Sequence, residues 1–448
     1  MSPDARRSLT IVLAAGEGVR MRSAKPKVLH ELAGRSMLAH ALSAALKGAI
    51  GDIAVVVAPD RDDVAAEALK AAPQAKIVVQ REQRGTAHAV LAARDHIQRG
   101  YDDILVVYGD IPLIEASTLA AMRAELASGA DVVALGFEAP DPAGYGRFIE
   151  RGGRLIAIRE ERDASAEERA SRLCNAGPIA FGGAEALKLL DAVKPDNAQN
   201  EYYLTDIVEI ANARGLTARA LIVNEKEVMG VNDRAQLAAA EAVLQDRLRR
   251  SAMAAGATLI APETVFLSYD VRIGRDVLIE PHVVIGPKCA IEDGATIRAF
   301  SYLESARIAG GAVVGPFARL RPGADVGVNA RIGNFVEIKQ SAIEEGAKIN
   351  HLSYIGDARV GAKANIGAGA IVCNYDGFAK HKTDIGAGAF VGSNSALVAP
   401  VTIGDSAYIA TGSVITQPVE AEALAVARSR QEVKPGWVKA FRDRRKKG

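Results

Sequence analysis

An aliphatic residue recurs at every sixth position over residues 273–415. Ile273, Ile279, Ile285, Ile291, Ile297 and Leu303 keep one register, which resumes after a one-residue slip at Ile308, Val314, Leu320, Val326, Ile332 and Ile338. Further slips give Ile343, Ile349 and Ile355, then Val360, Ile366 and Val372; after an interruption come Ile385, Val391, Leu397, Ile403, Ile409 and Ile415. A period of six suits neither a helix nor an alternating strand. It is the signature of a hexapeptide β-helix. Each hexad predicts one short side of a triangular coil with its aliphatic residue inward. The small residue that often follows, as in Ile332-Gly333 and Ile366-Gly367, turns the corner without a Cβ clash. One coil cannot bury its own core, so the coils must stack.

At 448 residues the chain is too long for one ordinary core and implies at least two domains. Its 49% hydrophobic and 24% charged content describes a soluble globular protein. With 55 basic and 54 acidic side chains the net charge is +1, which points to no nucleic-acid and no membrane partner. Cys174, Cys289 and Cys373 are widely spaced and odd in number. That pattern fits a reducing compartment and opposes a disulfide framework or a Cys-rich zinc site. The apolar run from Leu9 to Ala15 passes straight into glycines and reads as a buried strand rather than a signal peptide. No apolar run is long enough to span a bilayer, so a cytoplasmic location is expected.

Before the hexads the pattern is strand and helix in alternation. Strands are expected at 9–13, 53–58, 77–80 and 104–108, with helices at 37–47, 64–71 and 88–99. This predicts a largely parallel sheet with helices on both faces, whose ligands bind beyond the carboxyl ends of its strands. The first such end is the turn Leu13-Ala14-Ala15-Gly16-Glu17-Gly18-Val19-Arg20, followed by Pro26-Lys27. Gly16 and Gly18 let backbone N–H groups approach a polyphosphate, and Arg20 and Lys27 supply cations. The glycines alone would fit any tight turn; the cations favour a nucleotide.

This arrangement resembles the sugar-nucleotidyltransferases, which transfer a nucleotidyl group onto a sugar 1-phosphate. The resemblance implies that Gln80, Gly85 and Thr86 read the uracil base. It implies that Asp110, in Tyr108-Gly109-Asp110, and Asn232 are ligands of Mg²⁺, an ion that shares its shell with waters and substrate phosphates. A helix cap is the alternative for each of these two residues. Gly146, Glu160 and Asn175 match sugar-binding positions, and the segment 200–206 closes the sugar side. Ala87, where Gly is common, and Glu160-Glu161-Arg162-Asp163 depart from the usual pattern.

No Gly or Pro falls between Gly230 and Gly256, which predicts one linker helix. The expected domains are 1–230, a linker at 231–255, the coil at 256–430 and a tail at 431–448. The tail ends in Arg442, Arg444, Arg445, Lys446 and Lys447 and reads as a solvated, disordered terminus.

Three hexads make one coil, so Leu320, Ile338 and Ile355 share a side. Arg321 and Lys339 then stack roughly 4.8 Å apart at the backbone, with Tyr354 at the adjoining corner. Stacked cations repel unless an anion lies between them; a substrate phosphate is favoured, with Glu337 as the alternative. His351, two residues past an inward position, should face outward near Asn365. Its imidazole is suited to take a proton from an amine attacking a thioester. The interruption at 373–384 should project from the coil as part of a binding face.

With these residues the whole chain resembles the bifunctional N-acetylglucosamine-1-phosphate uridyltransferase/glucosamine-1-phosphate acetyltransferases. The implied fold is α/β, a Rossmann-like nucleotidyltransferase domain followed by a left-handed parallel β-helix. The implied reactions are acetylation of glucosamine 1-phosphate by acetyl-CoA, then transfer of UMP from UTP to N-acetylglucosamine 1-phosphate. The product, UDP-N-acetylglucosamine, feeds cell-envelope precursor synthesis. A homotrimer is implied, with acetyl-CoA held between neighbouring subunits. His351 would be the general base; Arg321, Lys339, Tyr354 and Asn365 would bind glucosamine 1-phosphate. Ala368, Asn374, Tyr375, Ser393, Thr411 and Arg428 would contact acetyl-CoA, with Thr411 and Arg428-Ser429-Arg430 departing from the usual residues. The competing readings are a single-activity nucleotidyltransferase with an oligomerising coil, and a trimeric scaffold.

Overall fold

The computed structural model describes residues 6–49 and 51–446, so Lys447 and the first five positions of the N-terminal domain lie outside the described residues. Two compact units emerge, Met1–Asp246 and Arg247–Gly448. Their division falls within the helix Arg234–Ala254.

The first unit is built on the continuous apolar runs. Ser8–Leu13 is buried throughout, and Asp103–Tyr108 is buried up to its last residue. Burial on both faces is what such runs require in a central sheet. The strand order is Ala218–Val223, Val132–Glu138, Leu173–Gly182, Asp103–Tyr108, Ser8–Leu13, Asp52–Val57, Lys76–Val79, with a hairpin of Arg147–Arg151 and Arg154–Arg159 branching from Leu173–Gly182. Two separate apolar clusters cover the sheet. Leu173–Gly182 runs antiparallel to both its neighbours, so the sheet is mixed where a largely parallel one was expected. The helix expected at 88–99 is two, Thr86–Leu91 and Arg94–Ile97. Hydrogen bonds shorten to three residues at Ala92 and Ala93, and the fully buried Ala93 turns the chain into the core.

The second unit is a left-handed parallel β-helix of three sheets, each built from every third strand. Leu320, Ile338 and Ile355 stack in register, as counted from the hexads. The aliphatic positions form one continuous core. The coil begins ahead of the first hexad, at Thr258–Leu259, and ends beyond the last, at Leu424–Ala425. Where a glycine follows the aliphatic residue, it is needed for a different reason from the one expected. A Cβ on Gly333 would lie 2.0 Å from the carbonyl of Asn350, and one on Gly367 would lie 2.5 Å from the amide of Ser393. The clash is with the next coil. Positive φ falls instead on residues such as Phe317, Phe335 and Leu352.

The tail departs from expectation too. Trp437–Lys446 is a helix, with all of its residues exposed.

Candidate active sites

In the first unit three strand ends converge. Leu13 pairs with Val56 and Tyr108, and the ladder runs on as Ala14 donates to Val56 and Gly109 donates to Leu13. The phosphate turn and Asp110 therefore leave the sheet side by side. They frame a cleft of about 320 Å³, lined by Leu13, Ala14, Ala15, Gly16, Lys27, Gln80, Gly85, Thr86, Tyr108 and Asp110. Gly85 has φ +111°, and a Cβ there would sit 2.6 Å from the Tyr202 backbone; only glycine lets the two segments close. Gln83 and Glu201 also line the cleft. Gln83 donates to the Ala15 carbonyl at 2.8 Å, a role that no local pattern announces. Arg20 is exposed and lies off the cleft wall.

The Lys27 ammonium lies 2.5 Å from Asp110 Oδ2 and 2.9 Å from Asn232 Oδ1. The helix cap falls to Asp233, whose carboxylate accepts from the Gln236 amide at 2.8 Å, so the Asn232 side chain is turned to the cleft instead. A carboxylate and an amide oxygen converging on one cation are hard donors suited to a divalent ion, with Lys27 standing where positive charge is wanted. Among the described residues no group of three or more His, Cys, Asp and Glu could hold a metal. A divalent ion held there would have to take the rest of its shell from water and substrate phosphates.

Gly146, Glu160 and Asn175 come together. The Asn175 amide donates to Gly146 at 2.8 Å, and a Cβ on Gly146 would lie 3.4 Å from Glu160 Oε2. Thr205 donates to Glu160 at 3.1 Å. Burial pushes the Glu160 carboxyl up, with Asp163 adding to it and the Thr205 bond opposing. Asp206 is pushed up to about 6, by burial first and then by Glu209.

A free aspartate titrates near 3.9, so the unfolded chain gives up this proton first. Ionised Asp206 therefore opposes folding increasingly from about pH 4 to 6, and constantly above that. Asp206→Asn should stabilise the first unit at pH 7.5 and do nothing favourable at pH 4. Denaturation midpoints at the two pH values test this; an equal gain at both would show that Asp206 is not raised.

In the second unit Arg321 and Lys339 follow the paired residues Leu320 and Ile338, but the stacking does not leave them without acidic partners. Arg321 pairs with Glu337 at 2.8 Å and Lys339 with Asp357 at 3.3 Å. A third cation comes from the insertion, Lys380, which the sequence did not single out. The neighbouring Lys339 amine pushes Lys380 down, while Lys380, and then Asp357, push Lys339 up. Asn374, also from the insertion, donates to Asp357 at 2.5 Å and to the Tyr354 hydroxyl at 3.4 Å. The insertion is a clamped hairpin: Asp376 accepts from His381 at 2.7 Å, and Tyr375 bridges Lys380.

His351 is exposed, and its Nδ1 lies 2.8 Å from Asn334 Oδ1. An amide oxygen only accepts, so Nδ1–H donates and Nε2 keeps its lone pair free. Asn334 was missed, though the hexads place it. Two residues past the stacked Ile332, Ile349, Ile366, Val391 and Ile409 stand Asn334, His351, Ala368, Ser393 and Thr411. They form one row along the coil, about 19 Å long at ~4.8 Å per strand. Arg428 donates to the Thr411 carbonyl at its end, at 2.9 Å. Asn365 is not beside His351 as expected. It pairs with Lys348, three positions back along the strand, because the two coils align through Ile349 and Ile366. A groove of about 580 Å³ is lined by Asp325 and Arg359 among others; it takes Lys382, Thr383 and Asp384 from the end of the interruption, and Asp357, the partner of Lys339.

A sheet whose strand ends gather a glycine turn and a carboxylate, and a hexapeptide coil with a histidine on its surface row, define a two-part transferase. Residues 10–196 match the MobA-like NTP transferase domain, and residues 270–305 and 382–417 match the bacterial transferase hexapeptide (six repeats). The chain is 58% identical over 442 residues to the bifunctional protein GlmU of Azorhizobium caulinodans, covering 99% of both chains. It is 59% identical over 442 residues to that of Xanthobacter autotrophicus, again with 99% of each covered. The match to the Agrobacterium fabrum protein is 56% over 441 residues, 98% of this chain and 97% of that one. The chain belongs to the GlmU family. It is a bifunctional enzyme, uridyltransferase and acetyltransferase, and the single-activity alternative falls. Its nucleotidyl transfer belongs to a class of chemistry served by a divalent cation. No described helix is long and apolar enough to cross a membrane.

Proposed function

We propose that the coil unit acetylates glucosamine 1-phosphate and that the first unit then joins the product to UMP. In the first step the sugar amine attacks the acetyl-CoA thioester carbonyl. The C–N bond forms, the C–S bond breaks, and CoA leaves as its thiol. His351, held by Asn334, takes the amine proton at Nε2. Arg321, Lys339 and Lys380 bind the sugar phosphate, and Tyr354 and Asn374 shape the pocket. The row Ala368, Ser393 and Thr411, with Arg428 beyond it, gives an extended thioester a track ending at the base.

In the second step the phosphate of N-acetylglucosamine 1-phosphate attacks the α-phosphorus of UTP and pyrophosphate leaves. Gly16 and the turn around it cradle the triphosphate, and Gln80, Gly85 and Thr86 receive the base. Gly146, Glu160 and Asn175 hold the sugar. Asp110 and Asn232 would hold Mg²⁺, which when bound neutralises charge developing on the phosphates. Lys27 would then turn from these oxygens to the substrate. A homotrimer, in which a neighbouring subunit completes the acetyl-CoA site, fits the openness of the row on a single coil.

The observation that carries this reading is that the two units gather different groups: Lys27 against Asp110 and Asn232 in the first, and His351 held by Asn334 on the coil row of the second. The test is thiol release from acetyl-CoA with glucosamine 1-phosphate, followed by pyrophosphate release once UTP is added. Pyrophosphate release from supplied N-acetylglucosamine 1-phosphate, with no thiol release in the first stage, would overturn the acetyl-transfer assignment.

A further inference from the structure

Glu161 lies in the segment 160–163, where the chain departs from the usual pattern. Its two carboxylate oxygens reach both ends of one short turn. Oε2 accepts from the Gly144 amide at 2.6 Å, and Oε1 pairs with Arg147 at 3.5 Å. Between these ends the Arg147 guanidinium donates to the Tyr145 carbonyl, and the Tyr145 ring meets Phe137 edge-on with centroids 5.0 Å apart. The remaining residue is Gly146, whose carbonyl takes the Asn175 amide. The two ends of the turn differ. Arg147 is fixed by strand pairing with Cys174 and Arg159. Gly144 has φ +85°, and a Cβ there would meet nothing within 4 Å, so packing does not hold it. Glu161 ties the loose end to the fixed one. Its own backbone is held in turn by Arg169, which donates to the Glu161 carbonyl at 3.1 Å.

We infer that Glu161 is a positioning residue for the sugar-phosphate substrate of the first unit, fixing the wall that Gly146 presents between Glu160 and Asn175. The inference rests on the assignment of Gly146, Glu160 and Asn175 to the sugar. The bond to Arg147 is hard to give up. The Arg147 side chain is 2% exposed, and among the described residues no other carboxylate lies within ion-pair distance of it. A buried guanidinium that loses its partner keeps the full cost of its desolvation. The turn therefore cannot drift from Glu161 without leaving that charge unpaired. Glu161 acts through Gly146 and not by touching the substrate. Its side chain bonds to Gly144 and Arg147 and, among the described residues, to nothing in the phosphate turn or in 80–86. Its loss should fall on the sugar phosphate and spare the nucleotide.

Initial rates of pyrophosphate release are measured on the full chain with Mg²⁺, varying UTP and N-acetylglucosamine 1-phosphate in turn. Glu161→Ala should raise KM for the sugar phosphate by about tenfold or more, as expected for a lost hydrogen bond to a charged group. KM for UTP should stay within about twofold, and kcat should be largely recovered at saturating sugar phosphate. Glu161→Gln keeps an oxygen for the Gly144 amide and loses the charge facing Arg147. It should raise the same KM by about threefold, since a neutral bond has about half the strength of a charge-assisted one. Asn175→Ala marks the sugar subsite and should also raise that KM. If Asn175→Ala raises it and neither Glu161 variant does, the inference falls while the subsite stands. If Asn175→Ala leaves it unchanged, the subsite assignment falls and takes the inference with it. Equal rises in both KM values, or a fall in kcat that saturating sugar phosphate does not restore, would show that Glu161 supports the unit generally, which also overturns the inference. Should Glu161→Ala fail to fold, Glu161→Gln decides alone, and an unchanged KM for the sugar phosphate overturns the inference.

Discussion

Asp110→Ala should reduce uridylyl transfer by on the order of 10³-fold or more while acetyl transfer stays near wild type. The Asp110 carboxylate meets the Lys27 ammonium, which also bonds the Asn232 amide oxygen. Removing it takes away the anionic donor of the cation site, and stabilisation of transferring phosphates by a bound metal is worth several kcal/mol, a thousandfold or more in rate. Asp110→Asn, which keeps the shape and removes the charge, should lose nearly as much. The coil should not respond, since its apolar core is a cluster of its own. Both rates are measured on the same folded preparation, with circular dichroism as the control. A folded variant that loses both activities would show that the units do not work independently.

His351→Ala should lower the acetyl-transfer kcat by ~10²–10⁴-fold, the usual worth of a positioned general base. The apparent affinity for glucosamine 1-phosphate should change little, because the proposed phosphate site is the corner of Arg321, Lys339 and Lys380, whereas the His351 side chain is bonded to Asn334. Uridylyl transfer should be untouched. The side chain is exposed, so no core cavity opens and the melting temperature should hold. Asn334→Ala is the companion test. Without its acceptor the imidazole is free to adopt the other tautomer, so part of the same kcat loss should follow with little change in KM. A His351→Ala enzyme of near-normal kcat would mean that another group, or water, takes the proton.

Much of the coil site was legible because its geometry is periodic. A parallel stack repeats at a fixed interval, so counting hexads places Leu320 over Ile338 and puts His351 on an outward row. The same count, carried one coil back, reaches Asn334. It also corrects the placement of Asn365, since pairing runs through Ile349 and Ile366 and leaves that residue against Lys348. In the first unit the buried runs located the strand ends, and with them the phosphate turn and Asp110. The branching hairpin and the reversed strand Leu173–Gly182 were not visible, because the direction of a strand leaves no mark on its own apolar pattern.

By itself, then, the sequence determined what is local or periodic: the coil and its inward ladder, and the ends of the buried strands. Only the tertiary structure decided which distant side chains meet. Lys27 reaches Asp110 across 83 residues and Asn232 across 205. Arg321 and Lys339 each find a carboxylate, and the insertion folds back to add Lys380 and Asn374 to their corner. Hydrophobic periodicity records which face of a segment is buried and stops there. Ion pairs and hydrogen bonds between loops depend on how side chains turn once the backbones have packed, and no local pattern carries that information.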